Sequence, residues 1–101
     1  MDRATIINIV KKFKEEIQSS FKPKEVYLYG SHARGTADKN SDIDVALVYD
    51  KYDSDTYLED LSKLWKLSHK IDLRIEPVIV DNLDDISGFL SEIKNNGILI
   101  D

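Results

Sequence analysis

The chain has no cysteine among its 101 residues, which removes both a disulfide framework and thiolate chemistry. That absence fits a reducing compartment such as the cytoplasm. No apolar run approaches the roughly 18 residues that a membrane-spanning helix needs. The opening MDRATIINIVKKFKEEI also lacks the apolar stretch and small-residue site of a secretory leader. Positive charge is in deficit as well: 14 Lys and Arg stand against 19 Asp and Glu, giving −5. That is the wrong sign for broad attraction to nucleic acid. With two histidines and no His/Cys cluster there is no zinc set and no reason for a Ser-His-Asp triad. A chain this short does not divide into two pieces that each bury a core. The expectation is one soluble, cytoplasmic domain over residues 1–101, with no membrane association and no direct nucleic-acid binding.

A hydrophobic fraction of 42% is ordinary for a globular domain, and periodicity divides the chain into elements. Ile6, Ile7, Val10, Phe13 and Ile17 recur at helical spacing over residues 4–19, ended by Ser19-Ser20 with Pro23 beyond. EVYLY at 25–29 reads as a short strand stopped by Gly30. Residues 31–41 read as a turn or short helix followed by a loop, and strand character returns over Ile43–Tyr49. Ser54, Asp55 or Thr56 would cap a following helix, in which Leu58, Leu61, Leu64, Trp65 and Ser68 form one stripe facing a sheet. Residues 71–80, IDLRIEPVIV, read as a third strand interrupted or ended by Pro77. A last helix over 83–95 would bury Ile86, Phe89, Leu90 and Ile93 and stop at Asn96-Gly97. The terminal ILI packs or adds an edge strand.

Within this pattern the run GSHARGTADKNSDID at 30–44 stands out. Asp42 and Asp44 are two apart, and alternate residues of a strand share a face. Two carboxylates side by side repel, which raises one pKa unless a cation intervenes. A hard divalent ion such as Mg²⁺ takes oxygen ligands, keeps waters and shares its other positions with nucleotide phosphates. Gly30-Ser31 at a strand end would let backbone N–H groups and a hydroxyl cradle a phosphate. Open α/β sheets bind ligands at such strand ends, so the two halves together describe a phosphate and metal site.

The run GSHARGTADKNSDIDVALV resembles the signature of the minimal nucleotidyltransferases of the DNA polymerase β superfamily: Gly-Ser, a short spacer with Ala-Arg-Gly, then Ser-Asp-x-Asp on a strand. The resemblance implies an α/β (α+β) fold, a small mixed β-sheet flanked by helices, in the minimal version of that family's palm. It also implies two-metal nucleotidyl transfer, with Asp42 and Asp44 on Mg²⁺ and Gly30 and Ser31 on the triphosphate of ATP. A third carboxylate is expected on the neighbouring strand. Glu76, inside an apolar run where an unpaired charge is unfavourable, is favoured over Asp72, and an ion pair with Arg34, Arg74 or a lysine is the structural alternative for it. Arg34 would contact a phosphate or pair with Asp38 or Asp42.

Larger nucleotidyltransferases carry extra domains that grip the acceptor; in a single domain of this size the expectation is either a small acceptor or another polypeptide that supplies that surface. The family resemblance implies a protein acceptor: a HEPN-domain RNase toxin, with AMP transferred from ATP to one of its tyrosines and this chain as antitoxin. Two alternatives stay open at this level, a module that neutralises its partner by contact alone and a transferase acting on an aminoglycoside-type small molecule. Trp65 reads as core, His32 as a half-exposed loop residue and His69 as a helix-end charge. Tyr49, Tyr52 and Tyr57 flank a polar loop, as a base-stacking platform or an interface.

Overall fold

A computed structural model describes residues 2–83 and 87–101. Helix α1 (Arg3–Phe21) begins where the Asp2 carboxylate accepts from the Thr5 N–H at 2.8 Å, satisfying one of the orphan donors of a helix start. It buries Ile6, Val10, Phe13 and Ile17. The helix runs past the expected stop at Ser19-Ser20, because Lys22 takes a left-handed conformation (φ 47°) and its N–H closes onto the Gln18 carbonyl at 3.1 Å. The Phe21 carbonyl is then occupied by the Tyr49 hydroxyl at 2.8 Å.

Strand β1 (Glu25–Tyr29), the single-turn α2 (Ser31–Arg34) and strand β2 (Ile43–Tyr49) follow. A 3-10 turn at Ser54–Thr56 leads into α3 (Tyr57–Ile71), then β3 (Ile75–Asp81), α4 (Phe89–Asn96) and β4 (Ile98–Ile100). Asp53 caps the 3-10 turn, accepting from the Asp55 N–H at 3.0 Å, and Thr56, one of the three expected candidates, is the N-cap residue of α3, without a side-chain capping hydrogen bond. The sheet order is β3-β2-β1-β4. β1 runs antiparallel to β2 and β4, whereas β2 and β3 are parallel and need the long α3 crossover between them.

The two faces of the sheet differ. Val26, Leu28, Ile43, Val45, Leu47 and Ile75 join α1 and Leu64 in the main core. On the other face Tyr27, Ala46 and Val48 pack against Leu90 and Ile93 of α4. Phe89, expected in the core, is 39% exposed, and the Ile86 expectation falls outside the described residues. In α3 the inward residues are Leu64, Leu67, Ser68 and Ile71. Leu58 and Trp65 turn outward, at 77% and 37% exposure, so the predicted stripe holds at Leu64 and Ser68 and fails at Leu58 and Trp65. The fully buried Ser68 hydroxyl is satisfied by donating to the Trp65 carbonyl at 2.9 Å.

Pro77 lies inside β3 instead of ending it. The ladder explains this, since Ile43 N–H bonds the Arg74 carbonyl and Asn82 N–H bonds the Tyr49 carbonyl. Even-numbered residues of β3 thus address β2, and the odd Pro77 turns its missing N–H to the outer side of an edge strand. Among the described residues no helix is long and apolar enough to cross a membrane. Phe13, fully buried in the centre of α1, is the side chain on which the main core closes. Phe13→Ala should lower unfolding free energy by about 3–5 kcal/mol, read from urea denaturation; a loss below about 1 kcal/mol would contradict this packing.

Candidate active site

The strand register sets the site. On the α4 face, β1 and β2 pair Tyr29 with Asp44, and β2 and β3 pair Asp44 with Glu76, so the three side chains form one row across three strands. Asp42 precedes β2 by one residue and is exposed, while Asp44 is half-buried in a strand otherwise buried from Ile43 to Val48.

Gly30 ends β1 with φ 74° and starts α2. A Cβ built there would run into the Asp44 carboxylate, with Cγ at 3.2 Å. Gly30 is therefore required twice, by its positive φ and by the approach of the Asp44 side chain. Ser31 is half-buried, and among the described residues its hydroxyl has no partner. His32 belongs to α2 rather than to a loop, and its Nε2 lies 3.4 Å from the Ser41 carbonyl. The segment leading to Asp42 holds itself: the Asp38 carboxylate accepts from Asn40 N–H at 2.8 Å, and Ser41 Oγ accepts from Asp38 N–H at 2.9 Å.

Electrostatically the row is short of positive charge. Burial raises the Asp44 pKa, the charge of Asp42 raises it further, and His32 and Arg34 oppose the shift. Glu76 is raised by burial, then by the charges of Asp42 and Asp44 and a hydrogen bond with Asp42. Tyr29 is pushed up to about 12 by burial and by the charges of Asp44 and Glu76. No cation pairs with Glu76 among the described residues, which removes the structural alternative for that residue. Arg34 pairs with neither Asp38 nor Asp42; it lines a cavity of about 300 Å³ with Tyr29, Gly30, Asp44, Phe89 and Asn96.

Asp72 is placed elsewhere. Ile71 ends α3, and Asp72 is its C-cap rather than a strand residue. Its carboxylate takes Arg74 Nη2 at 2.7 Å and Nε at 3.0 Å, which holds it below the usual carboxylate range. The row at Asp44 thus contains Glu76 and not Asp72.

Sequence reasoning missed Tyr29 and Phe89, whose rings meet edge to face at 5.5 Å and close the cavity beside Asp44. The alternation in EVYLYG places Tyr29 on one face, but only the β1–β2 register shows which carboxylate it meets.

Among the described residues no three Asp, Glu or His side chains are already arranged to hold a metal ion. The donor set nonetheless suits Mg²⁺. Its donors are carboxylates, two of them with pKa values raised partly by neighbouring negative charge, and Mg²⁺ is bound by one or two carboxylates with waters and phosphates filling the rest.

The chain belongs to the nucleotidyltransferase domain family, whose profile matches residues 10–100, and its fold is that of the polymerase β-like nucleotidyltransferases. More narrowly, it is a homologue of a Methanocaldococcus jannaschii protein named "putative protein adenylyltransferase", 35% identical over 99 residues that span 92% of this chain and 96% of that one. A second protein of that name and organism is 30% identical over 71 residues, 70% of this chain and 71% of its own length. The crystal structure of a "putative nucleotidyltransferase" from Sulfolobus solfataricus aligns with TM-score 0.64 and 26% identity, over 96% of this chain and 80% of that one. A crystal structure of a toxin-antitoxin with AMP-PNP aligns with TM-score 0.64 and 25% identity, over 93% of this chain and 71% of that one.

A carboxyl whose pKa is higher folded than unfolded binds more protons in the folded state, so its contribution weakens stability as pH rises through that interval. Glu76→Gln should therefore stabilise the fold at pH 7. The gain should shrink on acidification and vanish below about pH 4, where unfolded-chain carboxylates are protonated too. Denaturation midpoints across pH test this; equal midpoints at pH 7 would contradict the repulsion assigned to the row.

Proposed function

We propose that the chain is a Mg²⁺-dependent protein adenylyltransferase that moves AMP from ATP to a tyrosine hydroxyl of a HEPN-type RNase toxin, and so acts as its antitoxin. The observation that carries the reading is the carboxylate row of Asp44 and Glu76, with Asp42 just before it, set against Gly30 at Asp44 and engaged in no ion pair among the described residues. The relatives named as protein adenylyltransferases and the toxin-antitoxin neighbour with AMP-PNP support the acceptor class and the nucleotide.

In this reading the backbone at Gly30 and Ser31, with the free Ser31 hydroxyl, binds the triphosphate, and Arg34 offsets its charge from the cavity wall. Asp42 and Asp44 would hold Mg²⁺, with Glu76 as a third carboxylate available to it. When bound, the metal supplies charge stabilisation at the entering and leaving oxygens. Glu76, beside Asp44 in the row, would favour deprotonation of the attacking hydroxyl. The acceptor oxygen forms a bond to the α-phosphorus, the bond from that phosphorus to the bridging oxygen breaks, and pyrophosphate leaves with its electron pair. Positioning and electrostatics carry such transfers, with little covalent work for the protein. Asp72, committed to Arg74, takes no part.

Intact-mass spectrometry of the chain with Mg²⁺, ATP and the product of the neighbouring gene should show the partner gaining about 329 Da, one adenylyl group. Asp42→Asn with Asp44→Asn should reduce the rate by more than about 100-fold while leaving a folded protein. An unmodified partner in a stable, inactive complex would replace catalysis with neutralisation by contact.

Mg²⁺ should also raise the melting temperature of the wild type and leave that of the Asp42→Asn, Asp44→Asn protein unchanged, read by thermal denaturation with and without chelator. Equal shifts in both would remove these residues from the metal site.

A further inference from the structure

A second cavity lies away from the candidate active site. At about 520 Å³ it falls in the range of small-molecule sites, roughly 300–1,000 Å³. It sits between the end of α1, the end of β2 and the flank of α3. Tyr49 in its wall is five residues along β2 from Asp44, a distance of about 16 Å.

Its chemistry is divided. One side is aromatic, made by Phe21, Tyr49 and Tyr52. The Tyr49 and Tyr52 rings lie 5.3 Å apart, and their outer ends are fixed. Tyr49 donates to the Phe21 carbonyl at 2.8 Å, and Tyr52 donates to Asp60 at 2.5 Å. The other side is cationic: Lys63, Lys66 and Lys70 line it, on one flank of α3 at spacings of three and four, spanning about 10 Å. None of the three forms an ion pair among the described residues, although the chain carries five more negative than positive charges. Asp60, the acid nearest at hand, is taken by the hydroxyls of Tyr52 and Thr56.

Aromatic rings held by their hydroxyls beside ammonium groups free of ion pairs among the described residues suit a ligand with a planar ring at one end and phosphate at the other. We propose that this cavity is a second nucleotide site, which holds a nucleoside diphosphate with its base against Tyr49 and Tyr52 and its phosphates on Lys63, Lys66 and Lys70. Lysine charge meets the phosphate directly, so no divalent ion is needed. That requirement separates it from the Gly30–Asp44 site.

Photolabelling of the full chain with 8-azido-ADP in the presence of EDTA tests the site. The label should fall on the tryptic peptide 52–63, should drop about tenfold in Lys66→Ala with Lys70→Ala, and should be unchanged in Asp42→Asn with Asp44→Asn. The lysine side chains are exposed, so matching circular dichroism melts will confirm that the variants fold. Label confined to peptide 25–34, label on 52–63 insensitive to the lysine changes, or no label at about 1 mM probe would each overturn the proposal. A single-stranded oligoribonucleotide that displaces the label much more effectively than ADP would overturn it in favour of a strand-binding groove. Because chelator and the aspartate variant remove the conditions of the transfer reaction, failure here leaves the adenylyltransferase reading standing, and the reverse also holds.

Discussion

One carboxylate organises the molecule: Asp44, placed in a strand that is buried at every other position from Ile43 to Val48. An ionised group in such a setting is unfavourable unless something compensates it. The fold supplies little compensation, because Glu76 lies beside it and Asp42 precedes it. His32 and Arg34 answer only from α2. The space that the Asp44 carboxylate occupies is the space a side chain at position 30 would need. The glycine, the strand end and the acidic row thus form one constraint, and the arrangement persists because the rest of the sheet holds it.

That support is asymmetric. The α1 and α3 side carries the larger core, with Ile6, Val10, Phe13, Leu28, Leu47 and Leu64 fully buried. On the other side α4 packs on a smaller cluster with Tyr27, Ala46 and Val48 buried in it and leaves the row at Asp44 at its margin. A sheet anchored on one face can carry charge on the other. This is why the acidic row falls on the α4 face and why α4 contributes the far wall of the cavity, through Phe89 and Asn96.

Local chemistry was legible in the sequence and long-range relations were not. The strands 25–29 and 43–49 were readable to the residue, because β-prone runs there end at Gly30 and begin behind an Asp-rich loop. The order of elements and the Gly-Ser and Asp-x-Asp pairing were also readable. The facing of α3 was readable in part: Leu64 and Ser68 of the predicted stripe are buried, whereas Leu58 and Trp65 fit the same helical period as the half-buried Leu67 and Ile71, and period alone does not set the edges of the buried face. The end of α3 was hidden because no glycine or asparagine marks it; the Asp72–Arg74 pair sits there instead. Pro77 argued against a strand until β3 was known to be at the sheet edge. The choice between Glu76 and Asp72 likewise needed the β2–β3 register, which is a property of the whole sheet.

The position of Pro77 bears on how this molecule meets others. An exposed strand edge recruits a foreign strand through its row of outward N–H and C=O groups. On β3 that row loses its donor at residue 77, near the middle, and the opposite edge, β4, is three residues long. Neither border offers an uninterrupted template for strand addition. Association is thereby directed away from backbone pairing and towards side-chain surfaces, where the fit of a partner depends on residue identity rather than on the generic hydrogen-bonding capacity of any extended chain.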